Sequence, residues 1–272
     1  MTDCFRLFTT EPDVRAVFRD FDQAMAITGR SFRAIATRNT LRFEIAGRGY
    51  FIKQHFGVGW GEIVKNWLAL RAPIVDASHE WQAIEHLNAA GLSTATLVAY
   101  GRQGANPATR RSFVATEEVR DFITLEDECA TWPEHKPAPA YKRAVLAAIA
   151  DTARVMHAAG TFHRDFYICH LYLNLADRGT TTPPRLTIMD LHRALIRPWR
   201  PGRWRVKDVG SLYFSALDAG LTRRDVLRAM ARYSGKPLRA TLTEDAGFWR
   251  AVQRRAGTLY HKAWRREPVW PL

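Results

Sequence analysis

The 272-residue chain is short of cysteine, short of acid and without a long apolar run, and each shortage closes off a class of function. Cys4, Cys129 and Cys169 are odd in number and far apart, forming neither a CxxC metal pattern nor a disulfide framework. A reduced, cytoplasmic chain is therefore expected. The longest uninterrupted apolar run lies within Ala144–Ala150, far short of the ~18–20 residues a spanning helix needs. The first residues, Met1-Thr2-Asp3-Cys4-Phe5-Arg6, carry no basic segment followed by an apolar one, so no secretory leader is expected. Any meeting with a membrane is then at its surface. Acid is outnumbered: 27 Asp and Glu stand against 40 Lys and Arg, a formal charge of +13. Such a balance implies an anionic partner, which could be nucleic acid, an anionic membrane surface or a phosphorylated substrate.

With 47% hydrophobic residues and nine Trp, the chain can bury a full core as one large domain or two lobes. No internal repeat is visible. Apolar residues alternate through Thr40–Ile45 and Tyr50–Lys53 around the turn Ala46–Gly49, a hairpin signal. Cap-type residues at Asp76–Glu80 then precede Trp81, Ile84 and Leu87, a helical stripe stopped by Gly91. Ser112–Thr116 reads as another strand. Downstream, Tyr141–Ala159 carries Val145, Ile149, Ala153 and Met156 on one face and ends at Gly160. Leu186–Met189 reads as a short strand, and helix is expected again from Asp208, with another helix starting near Leu221–Asp225. Strands followed by helices suggest an α+β chain of two lobes with a cleft between them, residues 1–119 and 120–272.

Chemistry concentrates in Gly160-Thr161-Phe162-His163-Arg164-Asp165, directly after the long helix. Asp190 follows 25 residues later, at the end of the strand Leu186–Met189, while upstream Lys53 ends a strand and Glu80 opens a helix. Taken in this order the residues resemble the bilobal protein-kinase-like fold. Phosphoryl transfer is mainly positioning and charge neutralisation, so it needs a cation on the phosphates, a metal and a carboxylate at the nucleophile. The resemblance implies that Lys53 contacts the α/β-phosphates of ATP and pairs with Glu80, and that Asp165 is the catalytic base. It also implies that His163 and Arg164 hold the catalytic loop in shape and that Asp190 binds Mg²⁺. The backbone of Glu117-Glu118-Val119 would meet the adenine, and Asp208 would anchor the loop.

Three features depart from protein kinases. His170 stands five residues after Asp165 where an Asn belongs, Arg33–Thr40 has no glycine, and no Ala-Pro-Glu follows Asp190. The same features fit a narrower group. His163–Leu171, Gly49–Lys53 with Gly57-Val58-Gly59-Trp60, and Lys207–Ser215 resemble the lipopolysaccharide core heptose(I) kinases of Gram-negative bacteria. In that family His stands at the Asn position, so His170 becomes a candidate second metal ligand. The resemblance implies ATP- and Mg²⁺-dependent phosphorylation of the first heptose of the inner core, at its 4-hydroxyl, on the inner face of the cytoplasmic membrane.

Between Arg193 and Lys207 there are six basic residues and no acid, with Trp199 and Trp204 among them. Arg250, Arg254, Arg255, Lys262, Arg265 and Arg266 repeat the theme beside Trp249, Trp264 and Trp270. Arg with Trp suits a headgroup interface, and Arg193–Lys207 is expected on the acceptor side. The partners this implies are a lipid-linked heptosylated Kdo–lipid A acceptor and the anionic inner-membrane surface, with room for an acidic protein partner. Trp60 and Trp67, read as loop, could add a contact or pack in the core. Two other readings compete: a kinase-fold phosphotransferase acting on Kdo or another sugar, and a basic nucleic-acid-binding protein. The latter lacks any helix-turn-helix, zinc or RNA-recognition signature.

Overall fold

The computed structural model describes residues 3–35, 37–68, 73–197, 199 and 202–271, in two compact units. The first unit comprises residues 1–85 and 95–120, the second 86–94 and 121–272.

The first unit is built on an antiparallel sheet of six strands in the order β1-β6-β7-β4-β3-β2. These are β1 (Cys4–Leu7), β2 (Arg30–Ile35), β3 (Arg38–Ile45), β4 (Arg48–His55), β6 (Leu97–Gln103) and β7 (Arg111–Glu117). Alternation decides which face is buried. Leu41 and Phe43 of β3 and Tyr50 and Ile52 of β4 turn inward onto Phe18, Val98 and Phe113. Lys53 lies between inward-facing Ile52 and Gln54, so it takes the opposite face. Two short helices, α1 (Pro12–Val17) and α2 (Phe21–Ala26), cover the inner face through Val14, Phe18 and Ala24. Buried Gln54 donates from Nε2 to the carbonyl oxygens of Ala24, Met25 and Ile27, satisfying backbone groups at the end of α2.

Residues 59–68 form a helix, α3 (Gly59–Leu68), where the sequence suggests loop. Ile63 is buried, but Trp60 and Trp67 are 52% and 56% exposed, stacked edge to face, so neither is core. Helix α4 (Ser78–Ala89) carries Trp81 and Ile84 inward, and its last turn belongs to the second unit.

That second unit also holds β5 (Ser93–Thr94), which joins a four-stranded sheet in the order β5-β11-β10-β8. The others are β8 (Phe122–Thr124), β10 (Leu171–Asn174) and β11 (Thr187–Ile188). His86 ties the segment down, its Nε2 lying 2.7 Å from the Ala159 carbonyl oxygen. Helices α5 (Leu125–Ala130) and α6 (Pro139–Ala158) follow, and Gly160 takes φ +73 just past the end of α6, a left-handed cap that glycine adopts without strain. A two-stranded ladder, β9 (Thr161–Phe162) with β12 (Leu195–Ile196), then brackets the loop between them.

Four helices complete the unit: α7 (Gly202–Ala216), α8 (Arg223–Ser234), α9 (Leu238–Glu244) and α10 (Ala246–Trp264). Thr222 and Asp225 form a reciprocal capping box at α8, as the start signal at Leu221–Asp225 predicts. Helix α7 begins six residues before Asp208, because a face of Arg and Lys carries no apolar period to announce it. Gly210 permits close packing of α7 on α10, since a Cβ there would lie 2.5 Å from Arg255 Cγ. Among the described residues no helix is long and apolar enough to cross a membrane.

Candidate active site

In the first unit the structure brings Lys53 and Glu80 together. Strand β4 presents the ammonium and the first turn of α4 presents the carboxylate, with Nζ donating to Oε1 at 2.7 Å. Glu80 is 5% exposed, and its other oxygen, Oε2, has no partner among the described residues. A buried carboxylate oxygen with lone pairs to spare is a costly arrangement unless a donor arrives. Glu117 ends β7, its backbone N–H donating to the Thr96 carbonyl, and Val119 follows in irregular backbone. Sequence reasoning missed the role of their neighbour: Glu118 receives a two-point contact from Arg42 at 2.6 and 2.9 Å. Hydrogen bonding to that guanidinium holds the Glu118 carboxyl below the usual carboxylate range.

The loop of the second unit is held from inside. Asp208, fully buried on α7, accepts from the backbone N–H of His163 at 2.7 Å and of Arg164 at 2.8 Å. Arg164 sits at φ +70, a left-handed conformation that a non-glycine residue keeps only when its surroundings impose it. Asp208 imposes it. Behind Asp208 runs a chain of donors: Arg205 Nε to Tyr233 Oη at 2.9 Å, Tyr233 Oη to His157 Nδ1 at 2.9 Å, and His157 Nε2 to Asp208 at 3.3 Å. The carboxylate can only accept, so His157 carries its proton on Nε2 and the hydroxyl donates to Nδ1. Burial pushes the Tyr233 hydroxyl up, keeping it protonated.

His163 is fully buried, its Nε2 donating to the Met189 carbonyl oxygen at 2.8 Å, which pins the residue before Asp190. Burial holds the imidazole below its ordinary value, and Nδ1 has no partner among the described residues. These contacts are internal and give His163 a structural task. Arg164 stacks on Trp204 at 5.3 Å, and Arg203 and Lys207 approach the same ring at 4.6 and 4.5 Å.

Asp165, His170 and Asp190 gather on the open side. His170 Nδ1 donates to the Asp165 carbonyl oxygen at 2.8 Å, and its Nε2 lies 3.8 Å from Asp190 Oδ2. Nδ1 therefore carries a proton, and Nε2 faces the Asp190 carboxylate. The Asp190 carboxylate would offer oxygen donors to a hard divalent cation, and His170 Nε2 beside it would be a further donor only when unprotonated. Among the described residues no group of three or more His, Cys, Asp or Glu could hold a metal by itself. Two contacts carry no signal in the sequence. His192 Nδ1 donates to Asp190 Oδ1 at 2.7 Å, and Arg193 Nη1 bonds both Asp165 oxygens at 2.8 and 2.9 Å.

The basic stretch is thus partly committed to internal partners, since Arg193 meets Asp165 and Arg205 meets Tyr233. Arg197 is exposed, and Arg200 lies outside the described residues. An apolar pocket of about 330 Å³, partly open to solvent, is lined by residues of α6, α7, α8 and α10, including Ile149, Val226, Met230, Tyr233 and Trp249.

Residues 22–233 match the profile of the Lipopolysaccharide kinase (Kdo/WaaP) family. The lipopolysaccharide core heptose(I) kinase WaaP of Pseudomonas aeruginosa is 46% identical over 245 residues, 90% of this chain and 91% of that protein. The protein of the same name from Escherichia coli K12 is 45% identical over 223 residues, 82% of this chain and 84% of that one. Among solved structures, one described as WaaP in complex with acyl carrier protein is 42% identical. It superposes with a TM-score of 0.79, covering 94% of this chain and 99% of that one.

Proposed function

Because this chain belongs to the lipopolysaccharide kinase (Kdo/WaaP) family, we propose that it phosphorylates lipopolysaccharide core heptose at the expense of ATP. It is a phosphotransferase with a sugar hydroxyl as acceptor. The finer reading is transfer of the γ-phosphate to the 4-hydroxyl of the first inner-core heptose on a Kdo–lipid A carrier, at the inner face of the cytoplasmic membrane.

The observation that carries the chemistry is Asp165, on a loop whose backbone is anchored from below by Asp208 and whose neighbour His170 faces Asp190 with Nε2. In this reading the first unit contributes the nucleotide contacts. Lys53, steadied by Glu80, neutralises the α/β-phosphates, and the backbone at Glu117 and Val119 takes the adenine. The second unit contributes Asp165 as the base that accepts the hydroxyl proton, while His163 and Arg164 keep the loop in shape. Asp190 and His170 would hold Mg²⁺, which when bound neutralises the phosphates. The exposed Arg197 and Arg203 would meet the anionic acceptor or lipid surface.

The deciding experiment is radiolabel transfer from ATP to heptosylated Kdo–lipid A, with wild type beside Asp165→Ala. Removal of the base is expected to cost about 10²–10⁴-fold in rate. Transfer undiminished in the variant takes Asp165 out of the reaction. No transfer by the wild type to any heptose acceptor sinks the acceptor reading and leaves Kdo or another sugar. Charge reversal at Arg197 and Arg203 should raise KM for the lipid acceptor and leave that for ATP unchanged.

An acidic protein partner is the second element of the proposal. The relative solved with an acyl carrier protein motivates it, and the chain's charge of +13 favours it. An acylated carrier would bring an apolar chain, for which the cavity beside Met230 and Trp249 is suited. Acylated carrier protein should then raise Tm more than the unacylated form does, and equal shifts would exclude the cavity.

A further inference from the structure

The loop from Asp165 to His170 reads Asp-Phe-Tyr-Ile-Cys-His and contains no Lys or Arg. A carboxylate meant to take a proton beside a polyphosphate is repelled by it, and the charge that grows on the transferring group needs a cation close by. Arg164, the nearest cation in sequence, has its guanidinium over the Trp204 ring. The cation at Asp165 comes from another segment.

The ladder of β9 with β12 explains how. Leu195 pairs with Phe162 and Ile196 with Thr161 in antiparallel register, so the chain just before β12 runs back alongside the residues just after β9. That brings Arg193 to Arg164 and Asp165. The Arg193 carbonyl oxygen accepts from Arg164 Nη1 at 3.5 Å, and Arg193 Nη1 spans both oxygens of Asp165. Only one of the three guanidinium nitrogens is used on the carboxylate; Nε and Nη2 have no partner among the described residues. The side chain is 42% exposed, against 19% for Asp165, so its outer edge faces solvent. A guanidinium is a planar fork whose second edge matches two phosphoryl oxygens.

We propose that Arg193 is a catalytic residue of the phosphoryl transfer, an inference that rests on the kinase reading above. It orients the Asp165 carboxylate with one nitrogen and donates from the others to the γ-phosphoryl oxygens. The acceptor oxygen forms its bond to the γ-phosphorus as the bond from that phosphorus to the β,γ-bridging oxygen breaks. The bridging oxygen leaves with the electron pair as part of ADP, and the hydroxyl proton passes to Asp165. Arg193 stabilises the charge on the phosphoryl group in transit, so its contribution is to kcat.

The test is steady-state kinetics of Arg193→Ala and Arg193→Lys, with Tm measured on each, in two reactions: transfer to heptosylated Kdo–lipid A and hydrolysis of ATP by water alone. Arg193→Ala should lose about 10²–10³-fold in kcat in both reactions, with KM for ATP and acceptor changing less than about threefold. Arg193→Lys should fall between it and wild type. Added guanidinium ion should restore Arg193→Ala at least about tenfold, and should do nothing for Asp165→Ala. An unchanged kcat, a loss confined to acceptor KM, or failure of rescue alongside a lowered Tm each overturns the proposal. Wild-type hydrolysis of ATP without transfer to any heptose defeats the acceptor reading alone, and the hydrolysis reaction still decides Arg193. Wild type inert in both reactions overturns both.

Discussion

The Lys53–Glu80 pair and the Asp165–Arg193 pair are equally short, 2.7 and 2.8 Å, but they are held in opposite ways. The first joins a strand to the opening turn of a helix. Each partner is placed by the period of its own element, and the packing of Ile52 and Trp81 beside them sets the geometry. The second joins a bend at Asp165 to the end of a single 3₁₀ turn, Leu191–Arg193, and neither partner sits on an α-helix or a strand. Its precision comes from below, through Asp208, His157 and Tyr233, and from the two-residue ladder of β9 and β12. The difference teaches where damage should spread. Breaking the first pair should remain local, whereas loosening the support of the second should cost both stability and rate.

Asp208→Ala tests that contrast most severely. It orphans two buried backbone N–H groups and releases Arg164 from its left-handed conformation, so a loss of about 3–5 kcal/mol is expected from denaturant unfolding, with transfer nearly abolished. A loss under about 1 kcal/mol would mean that the loop is self-supporting. Glu80→Gln, by contrast, should raise KM for ATP about tenfold while moving Tm by no more than about 2–4 °C. If its Tm fell as far as that of Asp208→Ala, the two pairs would not differ in kind.

Tyr233→Phe removes one link two residues from the loop in the donor chain. About 1 kcal/mol of stability should go, with a drop in kcat of less than about tenfold. The smallest effect is the pH dependence of His163. Its imidazole titrates lower in the folded chain than in the unfolded one, near 6.5, so the unfolded chain binds the extra proton first as pH falls. Stability should be full above about pH 7 and decline as pH drops below about 6.5. His163→Gln should flatten that slope in melts recorded across pH, and an identical slope would remove His163 as its cause.

These comparisons also mark what could be read from the sequence. The hairpin of β3 and β4, the stripe on α4 and the glycine after α6 announce themselves because burial writes a period of two or 3.6 into neighbouring residues. Lys53, Glu80, His163, Asp165, His170 and Asp190 stand out by type and order, and the structure brings the first two together in one unit and the last four in the other. Arg193 and His192 could not be read that way. Arg193 hides in a run of cations that looks like a solvated surface, and its partner lies 28 residues upstream. Tyr233 and His157 are 76 residues apart, and nothing local distinguishes a tyrosine that anchors a loop from one that fills a core. Helix α3 did carry a readable signal, since Trp60, Ile63, Val64, Trp67 and Leu68 recur at helical spacing; what the sequence could not show is that only Ile63 of that stripe is buried.

Strand β5 has a practical consequence for cutting the gene. Ser93 and Thr94 add a parallel strand beside Thr187 and Ile188, and the Ser93 hydroxyl reaches Thr187 at 3.1 Å. A fragment begun at Asp121 would look like a whole catalytic half by sequence order, yet it would lack one strand of its own sheet. Its exposed β11 edge would offer unpaired backbone groups to other copies, an invitation to aggregate on expression. A fragment retaining residues 86–94 through a short engineered linker should stay soluble where the contiguous one does not.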